Sequence, residues 1–217
     1  MTFCRNATAI SLFGEMRVKF YPWVNDDEDD AFAWITKDSD FLMHCMDSYL
    51  LHEGVSVKHW FPTDTTFQLD DHHGIKLTDS IPNTLHLLIV SEKLKQVLEE
   101  KSGAEIEFLP VRIRNQRGRM VQEPYFIANI VGTLECVDRE RSKFWCSEIR
   151  PDQVFHFFRL SLDSPKIPSD AKLFRLKEQT ALVIVREDLG KDILRAGCDG
   201  MIFQEMDEYG REWGDPK

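Results

Sequence analysis

The stretch LLIVSEKL (87–94) decides how this sequence is read, because LVIVREDL (182–189) repeats it 95 residues later without a gap. Leu87/Leu182, Ile89/Ile184, Val90/Val185, Glu92/Glu187 and Leu94/Leu189 coincide, and Phe108 falls over Phe203. In each copy an apolar run of strand length meets a segment with one apolar helical face. That face carries Leu94, Val97 and Leu98 in the first copy and Leu189, Ile193 and Leu194 in the second. Gly103 and Gly197 stand where a helix would stop. A strand then follows each helix: AEIEFLPVRIR (104–114) and MIFQEM (201–206). One strand–helix–strand unit cannot bury both sides of its own layer, whereas two copies sharing a core can. The expected fold class is α+β, a mixed sheet with two repeated strand–helix–strand units and an N-terminal extension.

Outward from the repeat, PYFIANIVGTLECV (124–137), VFHFFRLSL (154–162) and two pieces of KLFRLKEQTALVIVRE (172–187) read as strands. DRERSKFWCSEIRPDQ (138–153) is polar around an embedded Phe144-Trp145. Upstream, MRVKFYPW (16–23) is strand-like and closes at Pro22. The acidic run at 26–30 follows, then a helix from about residue 40 with Gly54 as its stop and Asp38, Ser39 and Asp40 as candidate N-caps. VSVKHWFP (55–62) and TTFQL (65–69) read as strands, and DDHHG (70–74) as a turn. This divides the chain into a variable N-terminal α/β portion, 1–84, and a core, 85–217, within one compact domain overall.

Composition narrows the function. Hydrophobic residues are 42% and charged residues 29%, and 15 Phe with 5 Trp exclude an unfolded acidic chain. The net charge of −10 argues against a general nucleic-acid binder, which needs a positive face to neutralise phosphate. Six of those negative charges fall within residues 1–53. Five cysteines without CxxC spacing read as reduced thiols. No apolar run is long enough for a membrane span, and the opening residues lack the form of a signal peptide. A cytoplasmic location is expected, with no membrane and no nucleic-acid partner.

The catalytic motifs give little. There is no GxSxG, P-loop or GxGxxG. Asp70-Asp71-His72-His73 has metal-ligand and acid–base residue types, but adjacent side chains in an extended chain diverge, so an exposed turn is the simpler reading. Cys45, Cys136 and Cys146 sit in apolar surroundings and read as core. Arg112, Arg114, Arg117 and Arg119 read as a solvated hairpin, since no aromatics interleave for stacking on bases. No catalytic residue, no metal ligand and no cofactor is expected.

Four stretches together carry a resemblance: IVSEKLKQVLEE (89–100) with IEFLPV (106–111); PYFIANIVGTLECVDRERS (124–142); KLFRL (172–176); and VIVREDLGKDILRAGCDGMIF (183–203). Over residues 85–203 the chain resembles a bacterial polymorphic-toxin immunity family, long catalogued as a domain of unknown function and named after a myxobacterial member. The matching positions are the Val-Ser-Glu turn at 90–92, Tyr125, Asn129, Asp138, Ser142, Phe174-Arg175, and the closing Ala196, Gly197, Gly200 and Phe203. The resemblance implies a protein that binds and neutralises a co-encoded toxin stoichiometrically, without catalysis. The alternatives are a metal-dependent or small-molecule enzyme using residues 70–73, or a general interaction module. Asn129, Asp138 and Arg175 are expected to be framework, Asp138 as a helix N-cap and Arg175 in a buried pair with it. For a basic toxin, the expected partner-binding residues are Asp26, Asp27, Glu28, Asp29 and Asp30 with Trp23 and Trp34 as aromatic neighbours.

Overall fold

The computed structural model of the protein describes residues 18–210; the opening segment with Cys4 and the end of the polar tail lie outside the described residues. The elements run β1 (Phe20–Asn25), α1 (Asp40–His44), β2 (Thr66–Gln68), β3 (Ile89–Ser91), α2 (Glu92–Lys101), β4 (Ile106–Arg114), β5 (Tyr125–Ile130) and β6 (Thr133–Leu134). The second half adds β7 (Lys143–Cys146), β8 (Val154–Arg159), β9 (Leu173–Leu176), β10 (Val183–Arg186), α3 (Glu187–Arg195) and β11 (Met201–Phe203). Three sheets result, ordered β11-β1-β10-β9-β6, β2-β4-β5-β3 and β7-β8.

The repeat is present and carries its own topology. In neither copy do the two strands flanking the helix pair with each other. An antiparallel strand lies between them: β5 between β3 and β4, and β1 between β10 and β11. The registers are the same. Ile89 faces Ile127 and Phe108 faces Ala128 in the first copy; Ile184 faces Pro22 and Phe203 faces Trp23 in the second. The flanking strands correspond at a spacing of 95, the middle strands at a spacing of 105. The middle strand follows its unit in the first copy and precedes it, from the N-terminal portion, in the second. Residues 1–84 and 85–217 therefore share one sheet.

Period-2 alternation distributes the side chains of these strands between cores. Val90 and Val185 point to the core that also holds Leu94, Leu98, Leu189 and Ile193, so α2 and α3 lie together between the two larger sheets. Ile89 and Ile127 point the other way, onto Leu42, Leu51, Val57 and Phe61 of the N-terminal portion. Ile184 likewise points away from the helices, onto Val137, Val154 and Phe157 beneath the β7-β8 hairpin. Ser91 caps α2, its Oγ accepting from the Leu94 N–H at 3.2 Å. Arg186 stands at the matching position of α3 and makes no side-chain cap.

Several local expectations are corrected. The helix expected over 40–54 stops at His44, capped by Ser39, and resumes as a 3-10 turn, Ser48–His52, before Gly54 at φ 68°. Residues 55–62 are a turn, not a strand: the Val57 carbonyl accepts from the Trp60 and Phe61 N–H groups. The apolar run that opens at Leu87 is a strand only from Ile89. Asn83 holds 85–87 in a turn by accepting from the Leu85 and Leu87 N–H groups at 3.1 Å, with His86 at φ 55°. The segment around Phe144-Trp145 is strand β7, and 124–137 changes sheets at Gly132, φ 89°.

Candidate partner-binding face

The acidic run leaves β1 at Asn25 and is tied down by its backbone. Asp26 N–H donates to the Gly200 carbonyl, and the Lys76 N–H donates to the Ala31 carbonyl at 2.9 Å. Gly74 lies so close under Ala31 that an added Cβ would strike its carbonyl, so loops 29–31 and 70–74 pack backbone on backbone. Two carboxylates shape the loop: Asp26 accepts from the Glu28 N–H, and Asp29 from the Ala31 N–H. Asp27, Glu28, Asp29 and Asp30 are exposed, and no ion pair among the described residues neutralises any of the five acids.

The neighbouring carboxylates at 70–73 do not converge. Asp70 turns inward and accepts from Thr36 Oγ1 at 2.6 Å, the His72 N–H at 2.8 Å and His73 Nδ1 at 3.0 Å. These bonds hold its carboxyl well below the usual carboxylate range, the Thr36 bond first among them. Asp71 and His72 point to solvent, their side chains 77% and 87% exposed. No three His, Cys, Asp or Glu side chains among the described residues are grouped to hold a metal ion. The stretch is a structural turn. Trp34 is half-buried and stacks on His73 at 5.3 Å, and Gln116 bridges from the arginine hairpin to the Asp70 and Gly74 carbonyls.

Trp23 is corrected from partner anchor to core: it is 7% exposed and meets Phe203 edge-on at 5.4 Å. Phe32 is buried too, with the Lys76 ammonium 4.7 Å above its ring. Of the aromatics around the acidic run, Trp34 is thus the one at the surface. Lys76 also pairs with Asp199 at 3.0 Å, and Asp199 Oδ1 accepts from the Asp79 N–H. Asp79 in turn pairs with Lys93 at 2.7 Å, so the acids beside the loop, unlike those of residues 26–30, are neutralised by lysines. Nothing in the spacing of residues 76, 79 and 199 signals this, because it arises only when β11 pairs beside β1.

The three framework residues occupy distinct places. Arg175, 1% exposed, has no carboxylate partner among the described residues. Its guanidinium donates to three carbonyls: Ile130 at 3.1 Å, Thr180 at 2.9 Å and Leu51 at 3.3 Å. Burial pushes its pKa down to about 10. The expected Arg175–Asp138 pair does not form, because Asp138 is turned into its own local turn. There Oδ1 accepts from the Glu140 and Arg141 N–H groups, without a helix following. Asn129 is fully buried and donates from Nδ2 to the Val55 carbonyl at 2.9 Å and to Glu107 at 3.1 Å. Glu107, missed in the sequence, also accepts from Ser56 Oγ and the Val57 N–H; burial, the largest single influence, raises its pKa, but these bonds and that from Asn129 together outweigh it and hold the carboxyl below its ordinary range. Together with the Gly132–Gly54 backbone bond, Asn129, Glu107 and Arg175 fasten residues 51–57 onto the junction of the two sheets. Cys136 is buried as expected; Cys146 is exposed, which corrects its reading as core.

Fold and face together define an α+β scaffold: two matched split strand–helix–strand units with an unneutralised acidic loop on the rim. The chain belongs to the Immunity protein family (Imm11), whose family model matches residues 29–208. The match reaches back well before residue 85, where the sequence resemblance begins, and takes in the N-terminal portion. A search of the curated proteins found no match. As an immunity protein the chain serves, in general terms, to neutralise a toxin, and such proteins are typically non-enzymatic. No helix among the described residues is long and apolar enough to cross a membrane.

Proposed function

We propose that this protein neutralises a cognate bacterial toxin in the cytoplasm by stoichiometric, non-catalytic binding. In this reading the toxin presents a basic surface, and Asp26, Asp27, Glu28, Asp29 and Asp30 with Trp34 form part of the face that receives it. The observation that carries the reading is the acidic loop itself: pinned by its backbone, with four of its five acids exposed and none in an ion pair among the described residues. A loop held in one shape loses little entropy on binding, so its charges act both in steering and in the bound state. Free cysteines at 45, 136, 146 and 198 suit a reducing compartment.

The test is to replace the five acids by Asn or Gln and measure association with the toxin encoded beside this gene, at two salt concentrations. Association is expected to slow at least about tenfold at low salt, within the range that electrostatic steering supplies. Its salt dependence should weaken, with the fold unchanged by circular dichroism. Unaltered association at both salts would place the interface elsewhere.

A further inference from the structure

A second acidic feature lies away from the proposed toxin-binding loop. Segment 135–140, the turn around Asp163 and Lys166, and Glu178 enclose a pocket of about 420 Å³. Val137 bridges Leu162, and the Asp138 N–H donates to the Ser161 carbonyl, so two walls are joined by backbone. Its lining carries Glu135, Asp138, Glu140, Asp163 and Glu178 with Arg139 and Lys166; Glu135 pairs with Lys177 at 2.6 Å and Asp138 with Arg141 at 3.4 Å, so Glu140 and Glu178 are the acids of the lining without an ion pair among the described residues. Lys166 pairs with Asp163 at 3.3 Å. Arg139 is directed elsewhere, donating to the Asp152 carbonyl and lying over the Phe144 ring.

The decisive group is Glu178. It is 4% exposed, and its Oε1 accepts from the Val137 N–H at 3.3 Å. Its other oxygen, Oε2, has no hydrogen-bond partner among the described residues. A buried carboxyl oxygen left unpaired costs free energy that an incoming donor would recover. The pocket's negative field is also felt next door: burial, then the Glu178 charge, pushes the Cys136 thiol up to about 12.

We infer that this pocket binds one organic cation of the alkylguanidinium or alkylammonium class, with Glu178 as its innermost acceptor and Asp138, Glu140 and Asp163 around it. Such a cation brings several N–H donors and a single charge to spread among carboxylates. The acids are not grouped as metal ligands. The cation could be a lysine or arginine side chain of a partner protein or a free polyamine, and the test separates these sources.

The full-length protein is titrated with N-acetyl-L-arginine amide, with the neutral N-acetyl-L-citrulline amide as control, and with spermidine. Amide NMR shifts are followed. Saturable shifts are expected at Val137 and its neighbours in the pocket with both cationic probes and not with citrulline. The change should be lost in Glu178→Gln, and weakened at least tenfold in Glu140→Gln, an exposed site that does not threaten folding. A tighter response to arginine amide than to spermidine assigns the pocket to a partner's side chain; the reverse order assigns it to a free polyamine. Absence of saturation with both cations, or saturation unchanged in Glu140→Gln and in a folded Glu178→Gln, overturns the inference. None of residues 26–30 lines this pocket, so its fate is independent of the acidic-loop test.

Discussion

Replacing Arg175 tests whether the two sheets are held together by a charge that no acid neutralises. The guanidinium donates to Leu51, Ile130 and Thr180 carbonyls from three different segments. Hydrogen bonds from a charged donor contribute about 2 kcal/mol each, so the three represent roughly 6 kcal/mol. Against that stands the cost of keeping the charge buried. Its pKa, lowered by burial from 12.5 to about 10, corresponds to about 3 kcal/mol. The difference leaves Arg175 stabilising the fold by about 3 kcal/mol, and Arg175→Ala adds a cavity of about 1 kcal/mol more. Arg175→Met fills most of the space yet leaves three carbonyls unpaired, for a loss of about 2–3 kcal/mol. Arg175→Lys recovers one or two bonds and should fall between Met and the parent. Urea unfolding followed by tryptophan fluorescence reads this directly, as a lowered midpoint at constant slope. A Met variant as stable as the parent would show that the carbonyls do not depend on Arg175, and the reasoning would fail.

His52 makes stability depend on pH. Burial, then the Arg175 charge, lowers its pKa from 6.5 to about 4. The unfolded chain therefore binds more protons between those values, and stability should fall as pH drops from 6.5 to 4, by up to about 3 kcal/mol. His52→Gln should flatten that part of the urea-midpoint profile, and an identical profile would refute the assignment. Gly200 sits at φ 87° with Thr78 Oγ1 only 2.5 Å from where a Cβ would lie, whereas Gly118, at φ 74°, has nothing within 4 Å. Gly200→Ala should cost several times the roughly 1 kcal/mol of Gly118→Ala, compared by thermal unfolding. Asp138→Ala should cost about 1 kcal/mol, the worth of a capped turn, and a double-mutant cycle with Arg175→Ala should show coupling below about 0.5 kcal/mol. A larger coupling would mean that the two side chains interact after all.

The sequence exposed the parts of the fold whose signal is local. Strand, helix face and terminating glycine lie within about twenty residues in each copy, and their alignment at a spacing of 95 matches the paired registers. The middle strands were beyond that method. Tyr125/Phe20 and Phe126/Tyr21 correspond, but one strand follows its unit and the other precedes it, and Ile127/Pro22 and Asn129/Val24 share no residue type. Strand β7 was hidden because its residues are mostly exposed and lack an apolar alternation. The surroundings of Arg175 were hidden for another reason. Its acceptors are backbone carbonyls, which every residue has, so no side-chain pattern could mark them. The acidic loop was legible as a charge run, yet the burial of Trp23 was not, since only the pairing of β11 beside β1 covers that ring.

The duplicated architecture explains why the rim and the framework differ in kind. Registers within the two split units coincide residue for residue, and the apolar pairs Val90/Val185, Leu94/Leu189 and Leu98/Ile193 fill one shared core. A change at any of these positions meets a packed neighbour, so the units can diverge there only within narrow limits of volume. At the ends of the middle strands the chain is held by its backbone, not by packed side chains. After β5 the chain passes through Val131 and Gly132 and crosses at once into the other sheet, where the Gly132 N–H bonds the Gly54 carbonyl. After β1 the matching positions are Asp26 and Asp27, and the chain instead turns outward into the acidic loop before Phe32 bridges Lys76. The same point of the same unit is thus a structural crossover in one copy and a charged, exposed loop in the other. A rigid duplicated frame that holds one such loop by its backbone can change the loop's exposed side chains without repacking the core. In the proposed reading, where residues 26–30 and Trp34 receive the toxin, the side chains of that face are replaceable without touching Asn129, Glu107 and Arg175, which fasten the junction of the two sheets.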